Sequence, residues 1–155
     1  MTIAAPFPNG RTRLKRSLLI LGALAFLANA LAMLADPSAW YAATPGVTHT
    51  GAFNPHFIRD IGLAYLTLSL LLAGAAAIPR YAFILTGAVT LYLALHALLH
   101  VWDIAAARLP PDHLLVDAPG VFLPPLITGL VAFWLRRDAD GGVMGYAAPA
   151  GGSPE

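Results

Sequence analysis

The second half of the chain contains two histidines and an aspartate at the spacing of an α-helix. His96, His100 and Asp103 are four and three residues apart, which places all three on one face of an α-helix. A second pair with a spacing of four, His56 and Asp60, comes from an earlier segment. Imidazoles and carboxylates are ligands that suit zinc, copper, iron or manganese. The spacing therefore predicts a transition-metal site that these five residues form.

Three interpretations of this polar cluster stay open from the sequence. In the first, the side chains bond only to water or to one another, with Arg59 and Asp60 as an ion pair, and form a structural hydrogen-bond network. In the second they bind a metal or, more narrowly, haem b between axial histidines. In the third a histidine exchanges protons with the outer aqueous phase in a quinone-linked redox role, because imidazole titrates near neutral pH. No catalytic residue is identified, and enzymatic activity is left open.

Long apolar segments must position these residues. The chain has 155 residues, of which 58% are hydrophobic and 11% are charged, whereas a soluble domain carries about 25% charged residues. Four segments approach the roughly 20 residues that cross about 30 Å of hydrocarbon. The sequence therefore predicts an all-α polytopic membrane protein, a four-transmembrane-helix bundle at residues 17–137, with spans at 17–35, 55–78, 81–102 and 119–135.

Local signals set the ends of these spans. Asn54 and Pro55 are typical of a helix start, since asparagine caps the first turn and proline fits its first position. Pro79 and Arg80 end the second span and leave only a short link, which requires the second and third helices to be antiparallel neighbours. The pair Pro124–Pro125 predicts that the fourth helix either kinks or begins there.

Charged residues give the predicted orientation. Seven of the nine basic residues fall on one side of the four spans, and basic residues accumulate on the cytoplasmic side of a membrane. Both termini are then cytoplasmic, residues 1–16 as a basic tail and 138–155 as a disordered tail. All five histidines fall toward the outer side. A competing interpretation treats the first span as a secretory signal cleaved after Ala30, which would leave three spans.

The outer loop, residues 36–53, is longer than a connector needs to be. Loops of this length in compact folds are often functional, and this one could cover the polar cluster as a lid that brings His49 with it. Trp40 and Tyr41 favour a simpler interpretation, in which the loop is anchored at the headgroup level. The second outer loop carries His113.

Composition also excludes several classes of protein. The formal net charge is +1, which offers no basic field for a nucleic-acid backbone. Cysteine is absent, so disulfides, thiolate metal sites and cysteine nucleophiles are excluded. The lipid bilayer is the predicted partner.

The stretch from Asn54 to Gly62, with its Arg-Asp-x-Gly sequence, and the four short helices resemble the DoxX-like bacterial inner-membrane proteins. That resemblance implies an inner-membrane location and an accessory role in respiratory or quinone-linked redox chemistry. The rival prediction is a non-catalytic subunit or assembly partner of a larger membrane complex, or a homo-oligomer, in which the histidine and aspartate cluster is purely structural.

Overall fold

The computed structural model describes residues 10–144 of the chain, and within that range it is helical with no β-strand. The all-α fold class is confirmed. Six helices follow one another, joined by 3₁₀ turns at Val47–His49 and Pro79–Tyr81 and by a π-helical turn at Ala118–Phe122. In chain order they are α1 (Gly10–Ala35), α2 (Pro37–Ala43), α3 (Pro55–Ala77), α4 (Ala82–Ala105), α5 (His113–Val116) and α6 (Leu123–Met144).

Four helical segments are long and apolar enough to cross a membrane, and each overlaps one predicted span. They are Arg13–Ala35, Pro55–Ala77, Pro79–Ala105 and Ala118–Arg137. α1 begins at Gly10 and so takes in part of the predicted basic tail, while α6 runs through Met144 into the predicted disordered tail. The rest of both predicted tails, residues 1–9 and 145–155, lies outside the described residues.

The helix ends follow the local chemistry of the sequence. The Asn54 side chain accepts hydrogen bonds from the backbone N–H groups of His56 and Phe57 and so caps α3. α4 ends where Ala107 adopts a left-handed conformation with φ 54°. The two prolines at 124 and 125 follow directly on the π-helical turn, which continues into α6 without a break. A departure from α-helical bonding of this kind is typical where prolines remove backbone donors.

The helices pack in the order α1, α3, α4, α6. Small residues allow the closest approach between α1 and α3, where a Cβ added to Gly62 would lie 3.1 Å from the Cβ of Met33. Ser69 Oγ donates a hydrogen bond of 2.8 Å to the Ala23 carbonyl across the same contact. The buried core is aliphatic and includes Leu19, Ala23, Leu68, Leu72, Ala75, Ala76, Ala82, Val89, Leu93 and Val131.

Candidate functional site

Five polar side chains meet at one end of the bundle, where α1 and α4 end and α3 and α6 begin. They come from α4, from α5 and its C-cap, and from the loop after α2. We call them the His–Asp network. Its members are His49, His96, His100, His113 and Asp117.

One carboxylate oxygen is the centre of the network. Oδ2 of Asp117 lies 2.8 Å from Nδ1 of His100 and 3.0 Å from Nδ1 of His113. The other ring nitrogen of His113, Nε2, lies 3.0 Å from Nδ1 of His49. Three hydrogen bonds therefore join α4, α5 and the outer loop through one aspartate.

The network continues down α4 by ring contacts. The His96 and His100 rings have centroids 4.8 Å apart and meet at 67°, and Tyr92 stacks on His96 with centroids 6.4 Å apart. Neither ring nitrogen of His96 makes a hydrogen bond within residues 10–144, and its side chain is only half-buried. Both ring nitrogens of His96 can therefore form a hydrogen bond with another molecule at the side of the bundle.

Exposure falls steeply from the loop into the bundle. His49 is exposed, whereas the side chains of His113, Asp117 and His100 are 1%, 7% and 14% exposed. Burying a carboxylate is costly unless it is hydrogen-bonded, and here two imidazoles meet that requirement. The network thus extends from the solvent-exposed His49 to the largely buried His100 on α4.

Local sequence explains how α5 and the loop reach these positions. His113 and Asp117 are four residues apart, which brings their side chains together over one helical turn. Gly46 adopts a left-handed conformation with φ 79°, and a Cβ added there would lie only 2.9 Å from Cε1 of His113. The outer loop therefore packs directly on α5 and covers His113.

An apolar depression of about 460 Å³ lies on the surface of α4. Its lining comes only from that helix: Leu95, Leu98, Leu99, Val101, Trp102 and Ala105. At about 100° per residue, these side chains lie on a different face of α4 from His96 and His100. The depression is therefore separate from the His–Asp network.

The structure brings together two of the five predicted metal ligands, His96 and His100. Asp103 turns instead to Arg108, whose Nη1 lies 3.2 Å from Oδ1 of Asp103. The reason is the end of α4: Arg108 and Leu109 donate their backbone N–H groups to the Asp103 carbonyl, which folds the arginine back onto the aspartate. Asp117 takes the place beside His100 that Asp103 was expected to fill.

His56 and Asp60 stand apart from the α4 histidines. Nε2 of His56 lies 3.5 Å from Oδ2 of Asp60 within α3, and their side chains are 87% and 55% exposed. Asp60 is thus paired with His56, and the described residues show no ion pair between Arg59 and Asp60. In the part of the chain that the structure describes, no group of three or more metal-ligating side chains is placed to hold an ion. Metal binding stays a prediction.

The sequence pattern did not predict Asp117 as part of the site, and it placed His113 only in a loop. One signal was available, since a histidine and an aspartate four residues apart are a helix-face pair wherever a single turn forms. The preceding Pro110–Pro111 concealed the turn, because it suggests irregular backbone. The distance in space between α4 and α5 was not readable from spacing alone.

No model of a protein family matches the chain, and neither a search of curated proteins nor a search of solved structures finds a significant match. The resemblance to DoxX-like proteins therefore stays a prediction. The function has to be argued from the geometry of the His–Asp network.

Proposed function

We propose that the chain is an integral protein of a bacterial inner membrane, with four transmembrane helices and both termini in the cytoplasm. Four helices of sufficient length and apolar character support insertion, and the distribution of basic residues supports the orientation. Aromatic residues at the two ends of the bundle are typical of membrane interfaces. Trp40, Tyr41 and Trp102 lie toward the network end, and Tyr81 and Trp134 toward the other.

The absence of cysteine allows a direct test of this topology. Thr48→Cys introduces a thiol into the exposed outer loop, and Tyr81→Cys introduces one at the opposite end of the bundle. A membrane-impermeant maleimide added to intact cells should label the first variant and leave the second unlabelled until the membrane is permeabilised. Labelling of both, or of Tyr81→Cys alone, would contradict the proposed orientation.

We further propose that the His–Asp network serves a quinone-type redox carrier, and the single observation that carries this proposal is the unpaired ring of His96. With Tyr81 at the inner boundary, His96 lies about 22 Å into the span at about 1.5 Å per residue, within the outer part of a bilayer core. A polar group there needs a hydrogen-bond partner. A lipid-soluble molecule with carbonyl or hydroxyl groups would supply one.

The apolar tail of such a carrier needs no site of its own in the protein. A quinone joins a polar ring to an apolar tail, and the carrier would place its ring at His96 while its tail extends into the surrounding lipid. Exposed leucines of α4 such as Leu95 and Leu99 present an apolar surface to that lipid. Recognition would therefore depend on the ring.

The remainder of the network supplies acceptors for protons. From His96 the contacts lead through His100, Asp117 and His113 to the exposed His49. Oxidation of a hydroquinone releases two protons and two electrons, and the imidazoles beside its hydroxyl groups would take up the protons. The two electrons would pass to a separate membrane redox protein that acts as the oxidant, so the role is that of an accessory to a larger reaction.

Binding of a short-chain ubiquinone analogue tests this role. The protein in lipid nanodiscs should bind the analogue saturably, as followed by quenching of tryptophan fluorescence. His96→Phe keeps an aromatic ring but removes both nitrogens, and we expect at least tenfold weaker binding, about 1.4 kcal/mol. His56→Phe is the matched control on α3 and should bind within twofold of the wild type. No saturable binding, or equal loss in both variants, would contradict the proposal.

The second candidate is a purely structural network, and the complete pairing of His113 favours it, because both of its ring nitrogens are bonded within the protein. In that case the fluorescence titration with the ubiquinone analogue gives the same result for His96→Phe as for the wild type.

The metal prediction is tested on the same purified protein. Equal metal content in wild type and in a His96→Ala, His100→Ala double variant would exclude metal binding at this pair, and an absent Soret band would exclude haem b from that preparation.

A further inference from the structure

The position of Asp117 restricts where the histidines of the network carry their protons. Its Oδ2 atom lies 2.8 Å from Nδ1 of His100 and 3.0 Å from Nδ1 of His113, within hydrogen-bond distance of both. An ionised carboxylate only accepts hydrogen bonds, and a neutral imidazole has one donor and one acceptor nitrogen. Both Nδ1 atoms must then carry the hydrogen. Nε2 is left as an acceptor on each ring.

The hydrogen-bond pattern continues one residue further toward solvent. Nε2 of His113, now an acceptor, lies 3.0 Å from Nδ1 of His49. His49 must therefore donate from Nδ1 and present its own Nε2 to the outer aqueous phase. One carboxylate thus fixes the tautomer of two imidazoles directly and of a third through His113.

Burial prevents water from relaxing this pattern. His113 and Asp117 are 1% and 7% exposed, so a solvent molecule has little room to replace either partner. The backbone at Gly46 also blocks movement of the carboxylate, because a Cβ added there would lie 3.2 Å from Oδ1 of Asp117 and 2.9 Å from His113. The aspartate is held by packing as well as by hydrogen bonds.

We infer that Asp117 is a positioning residue, which holds His100, His113 and His49 each with its hydrogen on Nδ1 and keeps Nε2 of His100 as a hydrogen-bond acceptor beside His96. A carboxylate that orients a histidine through one ring nitrogen frees the other for a ligand. At this site the acceptor nitrogen would receive the hydroxyl hydrogen of a hydroquinone, and this consequence rests on the proposed function. The tautomers themselves do not.

Asp117→Leu is the informative variant because it keeps roughly the size of the side chain and removes every acceptor. Asparagine would not serve, since its one carbonyl oxygen in the position of Oδ2 can accept both N–H groups. Without an acceptor the hydrogens are no longer held on Nδ1, and we expect at least one of His100 and His113 to carry its hydrogen on Nε2. Asp112→Leu is the matched control on the exposed side of the same segment, and the Asp112 side chain makes no cap hydrogen bond.

Nitrogen NMR of ¹⁵N-histidine-labelled protein in nanodiscs reads the tautomers directly. At pH 8, where free imidazole is neutral, the wild type and Asp112→Leu should show His100, His113 and His49 with the hydrogen on Nδ1. Signals are assigned by replacing each histidine in turn with glutamine. In Asp117→Leu at least one ring should change tautomer. A wild-type His100 or His113 with its hydrogen on Nε2 would overturn the inference, whether or not the variant folds.

Binding of the analogue in its reduced form, which carries the hydroxyl hydrogens, separates this inference from the proposed function. If the wild type binds, Asp117→Leu should bind at least tenfold more weakly while its far-ultraviolet circular dichroism is unchanged. Equal binding by the variant would show that Asp117 does not position the site. If the wild type itself fails to bind, the proposed function fails, and the NMR result still decides whether Asp117 sets the tautomers.

Discussion

The α1–α3 contact and the His–Asp network hold helices together in different ways. Along α1 and α3 the contact surfaces are small or aliphatic: Ala30 and Met33 are 0% and 1% exposed, and Gly62 lies against Met33. In the network an aspartate and its histidines join α4, α5 and a loop by directed hydrogen bonds. Close packing depends on volume, whereas hydrogen bonds depend on which atom donates.

This difference separates what each region can contribute to function. The α1–α3 contact needs only that small residues stay small, because dispersion forces are not directional. The network needs specific ring nitrogens at specific positions, because each hydrogen bond requires one donor and one acceptor. The packed region therefore supports the fold. The network is the part of the molecule that can bind a ligand or exchange a proton.

The largest expected effect is in the network, from Asp117→Ala. Removing the carboxylate leaves the buried Nδ1–H groups of His100 and His113 without their acceptor, and we expect a loss of about 3 kcal/mol in the free energy of unfolding. Unfolding in mixed detergent micelles measures it. Asp112→Ala should change stability by less than about 0.5 kcal/mol, as is usual for an exposed position. Equal effects of the two substitutions would remove the distinction between network and surface.

In the packed region, Gly62→Leu should destabilise by about 2 kcal/mol. A side chain there meets Met33 and Leu34, with the first carbon already within 3.1 Å and 3.2 Å of them, and overpacking typically costs 1–3 kcal/mol. Gly87→Leu on α4 is the control, since nothing lies within 4 Å of a Cβ at that position. The same detergent unfolding assay compares them. A harmless Gly62→Leu would mean that α1 and α3 do not depend on close approach.

Gly46→Ala tests the contact between loop and network and should cost about 1–2 kcal/mol, the usual penalty for a left-handed alanine. It should also displace His113, whose Cε1 lies 2.9 Å from the added carbon. Gly51→Ala is the control: its φ of 152° is also strained for alanine, but nothing lies within 4 Å of its Cβ. Both variants should lose stability, and only Gly46→Ala should shift the His113 ring signals in the nitrogen NMR spectrum. A His113 shift in both would show that the loop acts through backbone strain alone.

The four long apolar helices were predictable from sequence because their signals are local. Length and apolar character locate the four long helices, and Asn54 with Pro55 marks the start of α3 as the structure has it. The helical continuation from Asp138 to Met144 was not predictable, since a glycine-containing segment lacks apolar periodicity. A helix start at the proline pair after an extended segment was one of two options, and it is wrong, because a π-helical turn leads directly into α6.

The candidate site was only partly predictable, since it depends on pairing between distant segments. His96 and His100 were identified from their spacing on one helix. Their carboxylate partner comes from residue 117, which helical spacing cannot connect to α4. Asp103 was the reasonable expectation from periodicity, but the turn after α4 places Arg108 against it. Local periodicity gives the face of a helix, and the fold decides what lies opposite.

The smallest expected effect concerns Asp36, an exposed carboxylate that contrasts with the buried Asp117. The N–H of Ala39 and the Ser38 hydroxyl donate to it at the start of α2, and these hydrogen bonds lower the pKa of Asp36 below its usual 3.8. The stabilisation it gives α2 is therefore fully present above pH 3.8 and is lost as the pH falls through the lower pKa of the folded state. Trp40 on α2 donates to the Asn29 side chain, so its fluorescence should report the loss in a variant where it is the sole tryptophan. Asp36→Asn keeps a cap acceptor that does not titrate and should abolish the acid transition. If that transition persists in Asp36→Asn, it does not arise from the cap of α2.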